Sequence, residues 1–139
     1  APEKNGEMAG LALFQCEASY VAVVYGRFDE KTQVRVIKNS RDLDAEPAYP
    51  VKCVEEVLAS ADVSAENICF TITQKGQKAD ISYSIGDDEK TLVTGLSTKF
   101  LSTESAGGFV GCTVGMYASA SGAESANSAY FTGIDYTDL

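Results

Sequence analysis

Asn67-Ile68-Cys69-Phe70-Thr71-Ile72-Thr73-Gln74, the punctuation Lys75-Gly76-Gln77-Lys78, and Ala79-Asp80-Ile81-Ser82-Tyr83-Ser84-Ile85 together decide the fold class. Ile68, Phe70 and Ile72 fall on one face of an extended chain, and Cys69, Thr71 and Thr73 on the other. After Gly76 the alternation resumes, with Ile81, Tyr83 and Ile85 on one face and Ser82 and Ser84 on the other. Period-two patterning on both sides of a glycine turn is the mark of a hairpin with one face buried.

The same grammar extends in both directions. Upstream, Leu11-Ala12-Leu13-Phe14, the Tyr- and Val-rich run Ser19–Tyr25, and Gln33-Val34-Arg35-Val36-Ile37 predict three strands of a meander, with Gly26–Lys31 as one of its turns. Asn39–Pro50 holds two of the three prolines and reads as loop; Val51–Leu58 favours strand, with a short helix as the alternative, and Ala59–Ala65 reads as a connection. Downstream, Gly86-Asp87-Asp88 is a turn and Leu92-Val93 a brief continuation. Gly95–Gly108 reads as loop, Phe109–Ala118 as a strand, Ser119–Ser128 as a turn and Ala129–Tyr136 as a final strand. Eight or nine short strands without a long helix predict an all-β, two-sheet antiparallel sandwich of jelly-roll type. Residues 1–8 are expected to be an N-terminal extension and 9–139 a single sandwich domain.

Composition removes several function classes. The chain of 139 residues has 20 acidic and 11 basic side chains, a net charge of −9 that repels phosphate backbones and anionic membrane surfaces. No nucleic acid and no membrane is therefore expected as a partner. The longest apolar run, Val21–Tyr25, is far shorter than the roughly 20 residues of a membrane-spanning helix. Residues Ala1–Gly10 lack the pattern of a signal peptide, and the compartment stays open. With no histidine, Ser-His-Asp or Cys-His catalysis and histidine-ligated metal sites are excluded within these residues. With no tryptophan, sugar stacking would fall to Tyr20, Tyr25, Tyr83, Tyr117, Tyr130 and Tyr136, and Tyr83 and Tyr117 are the sugar-stacking candidates.

Cys16, Cys53, Cys69 and Cys112 form no CxxC pair. The last three lie in apolar strand-like runs and read as buried free thiols, with two disulfides in an exported protein as the alternative. Asp87-Asp88-Glu89 reads as a solvated turn, and Asp42, Asp44 and Glu46 as loop carboxylates with calcium as the alternative. Glu55 and Glu56, adjacent on a strand, point to opposite faces and make a poor acid/base pair.

Two further stretches exceed generic sandwich grammar. Ala9-Gly10-Leu11-Ala12-Leu13-Phe14-Gln15 precedes a tyrosine-rich strand, and Leu101–Ser119 contains Gly107-Gly108-Phe109, Gly111 and Val114-Gly115-Met116-Tyr117-Ala118-Ser119. With Ile81-Ser82-Tyr83-Ser84 between them, they resemble the C-terminal concanavalin A-like β-sandwich of family 43 glycoside hydrolases, the β-xylosidases and α-L-arabinofuranosidases. The resemblance runs from about Ala9 to Tyr136, and the glycine-rich stretch is its most specific part.

That resemblance implies an accessory module. In the family a β-propeller carries the catalytic carboxylates, which work as an inverting pair, and the sandwich packs against it. The implied partners are thus a catalytic propeller domain and an oligosaccharide, with no catalytic residue in these 139 residues. In some members a glycine-rich loop sends a phenylalanine to the pocket rim, which makes Gly107, Gly108 and Phe109 the rim candidates; Phe109 as a core residue is the alternative. The family often has two adjacent phenylalanines there, where this chain has Phe109-Val110. Relatives commonly end in alternating acidic and aromatic residues, whereas Tyr130 and Thr132 hold the usual acidic positions here. A structural calcium bound through those carboxylates would lose its ligands, and no cofactor is expected. A free-standing carbohydrate-binding module and a structural or adhesion sandwich are the competing functions.

Overall fold

The computed structural model describes residues 1–42, 44–45, 51–102 and 112–137. Among them are eight strands: β1 (Met8–Cys16), β2 (Ser19–Phe28), β3 (Lys31–Arg41), β4 (Cys53–Asp62), β5 (Cys69–Lys75), β6 (Lys78–Ile85), β7 (Asp88–Ser97) and β8 (Thr113–Ser119), with one 3-10 turn at Lys99–Leu101. They form a five-stranded sheet of order β4-β3-β2-β1-β8 and a three-stranded sheet of order β5-β6-β7. Every pairing is antiparallel. This is the expected two-sheet sandwich, built from two meanders and a last strand that returns to pair with β1.

Alternation decides which side chains meet between the sheets. From the large sheet come Leu13, Val21, Val23, Val34 and Val36, and from the small sheet Ala79, Ile81 and Tyr83, with Val63 and Leu101 closing the ends. Val21, Val23, Val34, Val36 and Ile81 are wholly buried. Each such side chain contributes about 1.5–3 kcal/mol by leaving water, and β-branched residues suit both the pleat and the core. Polar tethers link the layers and loops. The Ser19 hydroxyl donates to the Phe100 carbonyl at 2.8 Å, and Thr32 donates to the Val63 carbonyl at 2.6 Å. Lys38 lays its ammonium over the Phe100 ring, 4.6 Å from the centroid.

The hairpin turns follow the glycines. Gly76 and Gly86 both have φ of 59°, the left-handed conformation a two-residue hairpin loop requires, and Lys75–Lys78 and Ile85–Asp88 pair across them. The β2–β3 turn instead uses Asp29 and Glu30 at φ 49° and 66°. Asn5 supports it, accepting from the Glu30 amide at 2.9 Å and donating to the Glu30 carboxylate at 2.6 Å.

Several sequence expectations need correction. β3 continues to Arg41 and β4 to Asp62, into stretches read as loop and connection, because cross-strand pairing extends past the apolar residues. β7 spans ten residues and does not end at Gly95. Gly95, with φ of 66°, sits where the β6–β7 register shifts, and its amide donates to the Asp80 carboxylate at 2.7 Å; a bulge absorbs the glycine instead of ending the strand. The final strand expected at Ala129–Tyr136 is in no sheet. Gly133 has φ of 64°, which interrupts an extended run, and Tyr130 and Tyr136 are 91% and 84% exposed. Cys53, Cys69 and Cys112 are exposed free thiols, and Cys16 is half-buried. Cys69 lies on the edge strand β5 beside Thr71, and Cys53 opens the edge strand β4, on surfaces without a covering layer among the described residues.

Candidate functional site

The three-stranded sheet covers one face of the five-stranded sheet. The opposite face holds the site, and register builds it row by row. Thr113, Phe14, Tyr20, Asn39 and Glu55 stand side by side across the sheet. The next row on that face is Gly115, Ala12, Ala22, Ile37 and Val57, and the one after it Tyr117, Gly10, Val24, Arg35 and Ser60. Small residues thus form a floor between rows that carry large rings.

The rings fill the space that this floor leaves. Phe14 and Tyr20 stack with centroids 6.0 Å apart and planes at 26°, and Tyr20 and Tyr117 lie 5.9 Å apart at 33°. Tyr117 meets Tyr20 because Gly10 and Ala12, on the strand between them, project almost nothing. A Cβ on Gly10 would fall 1.9 Å from the Val23 carbonyl oxygen, so only glycine fits there. Ala12, Ala22 and Val24 are at most 3% exposed although no second sheet among the described residues lies over them; Met8, Tyr20, Phe28 and Tyr117 pack around them. The Arg35 guanidinium sits 3.9 Å above the Phe28 ring and closes the far side.

A depression of about 280 Å³ results, lined by Met8, Tyr20, Ala22, Ile37, Glu55, Tyr117, Ser119 and Ser121. That is near the lower end of ligand pockets, roughly 300–1,000 Å³. Its floor is apolar and its walls carry phenol, hydroxyl and carboxylate groups. Burial raises the Tyr20 phenol well above its ordinary pKa, helped by its hydrogen bond to Tyr117 and by the negative potential of Tyr117, Glu55 and Cys53. Tyr20 therefore stays neutral at any physiological pH, a hydroxyl that can donate and accept.

A second polar cluster lies near the chain's ends. The Glu7 carboxylate accepts from the amides of Glu3 and Lys4 at 2.8 and 3.0 Å, from the Ser125 hydroxyl at 2.5 Å and from the Asn127 amide at 3.2 Å. These bonds, Ser125 first, hold its pKa down to about 2. It is a clasp between the first turn and the segment after β8. With every carboxylate oxygen used in this way, it lacks the free basic site a catalytic group needs.

The sequence candidates scatter over the fold. Tyr117 stands in the depression. Tyr83 is 4% exposed in the core between the sheets, where its ring packs on apolar neighbours and offers no face to a sugar. Gly107, Gly108 and Phe109 lie outside the described residues, as does Glu46. Glu55 and Glu56 do face opposite ways, paired with Asn39 and Lys38. Asp44 donates its amide to the Asp42 carboxylate at 3.0 Å, an ordinary local turn, and Ser82 donates to Glu89 at 3.1 Å. Among the described residues no group of three or more Cys, Asp or Glu is placed to hold a metal, and no helix is long and apolar enough to cross a membrane. Sequence reading missed Tyr20, Glu55, Ser119 and Ser121 as one site. The available signal was the small residues Gly10, Ala12 and Ala22, all on the same strand parity as Tyr20.

Two stacked antiparallel sheets of this form define a β-sandwich of concanavalin A-like type. The chain belongs to the family of beta-xylosidase C-terminal concanavalin A-like domains, whose model matches residues 1–137. A xylosidase/arabinosidase of Butyrivibrio fibrisolvens is 32% identical over 135 residues, 94% of this chain but 24% of that protein. The chain thus spans about a quarter of the length of this relative. Among solved structures, the GH43 protein BlXynB from Bacillus licheniformis matches 85% of the chain and 22% of its own, with a TM-score of 0.69 at 20% identity. A GH43_12 protein from a capybara gut metagenome matches 81% of the chain and 21% of its own, with a TM-score of 0.67 at 24% identity.

Proposed function

We propose that this chain is the accessory C-terminal module of a glycoside hydrolase acting on xylan- or arabinan-type saccharides, packed on a catalytic propeller that supplies the bond-breaking groups. The observation that carries this reading is the pairing of a family match over residues 1–137 with a named relative four times as long. The module stabilises the propeller and shapes the entrance of its pocket, with Gly107, Gly108 and Phe109 as the rim residues.

The apolar surface supports it. On β8, Val114 and Met116 point to the side that carries the small sheet, yet they are 53% and 57% exposed. Together with Tyr130, Ile134 and Tyr136 they leave apolar area of the kind that inter-domain contacts cover. The test is expression of the parent reading frame with and without this module. The isolated 139-residue chain should show no turnover of aryl xylosides or arabinosides, and its deletion should lower the stability and kcat/KM of the remainder. Glycosidase activity in the isolated chain would sink the reading.

A further inference from the structure

We infer that the depression on the outer face of the five-stranded sheet is a saccharide-binding site, taking one neutral pyranose unit of an oligosaccharide between the Tyr20–Tyr117 wall and Glu55. The inference goes beyond the module assignment; only the choice of a xylose-based probe follows from it. Tyr20 and Tyr117 come from opposite ends of the chain, and register brings them to ring contact at 5.9 Å. The spacing is maintained by a glycine at position 10 that tolerates no side chain. Both rings pack on the cluster of Ala12, Ala22, Val24 and Ile37, and beside them Glu55, Ser119 and Ser121 leave one half-open space.

The lining chemistry selects the occupant. Sugar C–H faces pack on aromatic rings, while ring hydroxyls need donors and acceptors at the edge. Here Met8 and the half-buried rings of Tyr20 and Tyr117 give the apolar contact, over Ala22 and Ile37 beneath them, and the phenols with Ser119, Ser121 and Glu55 give hydroxyl and carboxylate partners. An apolar peptide would strand those polar groups without water. An anionic sugar would meet Glu55 and a net charge of −9. A neutral polyol ring satisfies both surfaces, and about 280 Å³ suits a single sugar unit rather than a long segment. Glu55 lies exposed on the edge strand β4, so a chain of further units can leave past it into solvent.

The experiment is a titration of the 139-residue chain with xylohexaose, followed by amide chemical shifts and by intrinsic tyrosine fluorescence, which no tryptophan obscures. Arabino- and cello-oligosaccharides identify the sugar. Saturable millimolar binding is expected, with shifts centred on Tyr20, Ala22, Tyr117 and Ser119. Tyr117→Ala should weaken it about tenfold, the order expected for one stacked ring. Tyr117→Phe, which keeps the ring, should weaken it less, and Glu55→Gln should weaken it several-fold with the fold intact. Lys90→Ala, at an exposed position on β7 of the other sheet, should bind as the parent does. Circular dichroism of each variant separates lost binding from lost folding; if Tyr117→Ala fails to fold, Glu55→Gln carries the test. Absence of saturable binding to all three sugar series overturns the inference, as does binding that survives both the Tyr117 and the Glu55 changes. Neither outcome bears on the module assignment, which the deletion experiment tests separately.

Discussion

The Ser125 hydroxyl donates to the Glu7 carboxylate at 2.5 Å across 118 residues of sequence. It joins the segment that follows the last sheet strand to the turn that precedes the first one. Glu7 is thereby held ionised to about pH 2, against an ordinary glutamate value near 4.3 in an unfolded chain. A folded-state value below the unfolded one means that the contribution is complete above the unfolded pKa and is lost as pH falls toward the folded pKa. The expected outcome is a loss of stability between about pH 5 and pH 2. Glu7→Gln should melt lower at neutral pH and show a flatter decline in that window. Thermal unfolding across pH measures both, and an unchanged acid limb would refute the clasp.

Gly10→Ala should be severely destabilising. The added Cβ would meet the Val23 carbonyl oxygen at 1.9 Å, a backbone atom that cannot swing away. Overpacking typically costs 1–3 kcal/mol, and here about 3 kcal/mol or more is expected because strand must part from strand. Urea unfolding checks it. Gly115→Ala, in the adjacent row of the same face, has open space around its Cβ and should be nearly neutral.

Ile81 and Met116 both point between the sheets but should respond differently to truncation. Ile81 is fully buried, so Ile81→Ala should cost about 2–5 kcal/mol. Met116 is 57% exposed, so Met116→Ala should fall within about 0.5 kcal/mol in the isolated chain. In the proposed parent hydrolase the Met116 change should cost more if the proposed propeller covers β8. Equal costs in both settings would place the domain interface elsewhere.

The thiols offer a direct check of burial. Cys53, Cys69 and Cys112 should react with a thiol reagent in the native state, ahead of half-buried Cys16. Desolvation raises the Cys112 pKa, only partly offset by a backbone hydrogen bond. Cys112 should thus react more slowly than its exposure alone would give, because the thiolate is the nucleophile. Peptide mapping of timed alkylation ranks the four.

Phe109→Ala tests the proposed pocket rim in the parent enzyme. Removing one aromatic wall of a sugar subsite should lower kcat/KM on the order of tenfold, about 1.4 kcal/mol, chiefly through KM. An unchanged kcat/KM would return Phe109 to a packing role.

Local pattern alone determined a good deal of this molecule. Alternation at Asn67–Gln74 and Ala79–Ile85, with left-handed glycines at Gly76 and Gly86, required hairpins, and the missing histidines removed whole classes of chemistry. Period two assigns side chains to two faces, but it cannot say which face receives the second sheet. That choice sent Tyr83 into the core and left Tyr117 on the outer face. It also left Val114 and Met116 uncovered, because the three-stranded sheet does not bury the inner side of β8. The Tyr20–Tyr117–Glu55 grouping and the Glu7–Ser125 clasp were decided by tertiary structure. Their members are brought together by strand register and by the return of β8 to β1, contacts between distant parts of the chain that no local periodicity encodes.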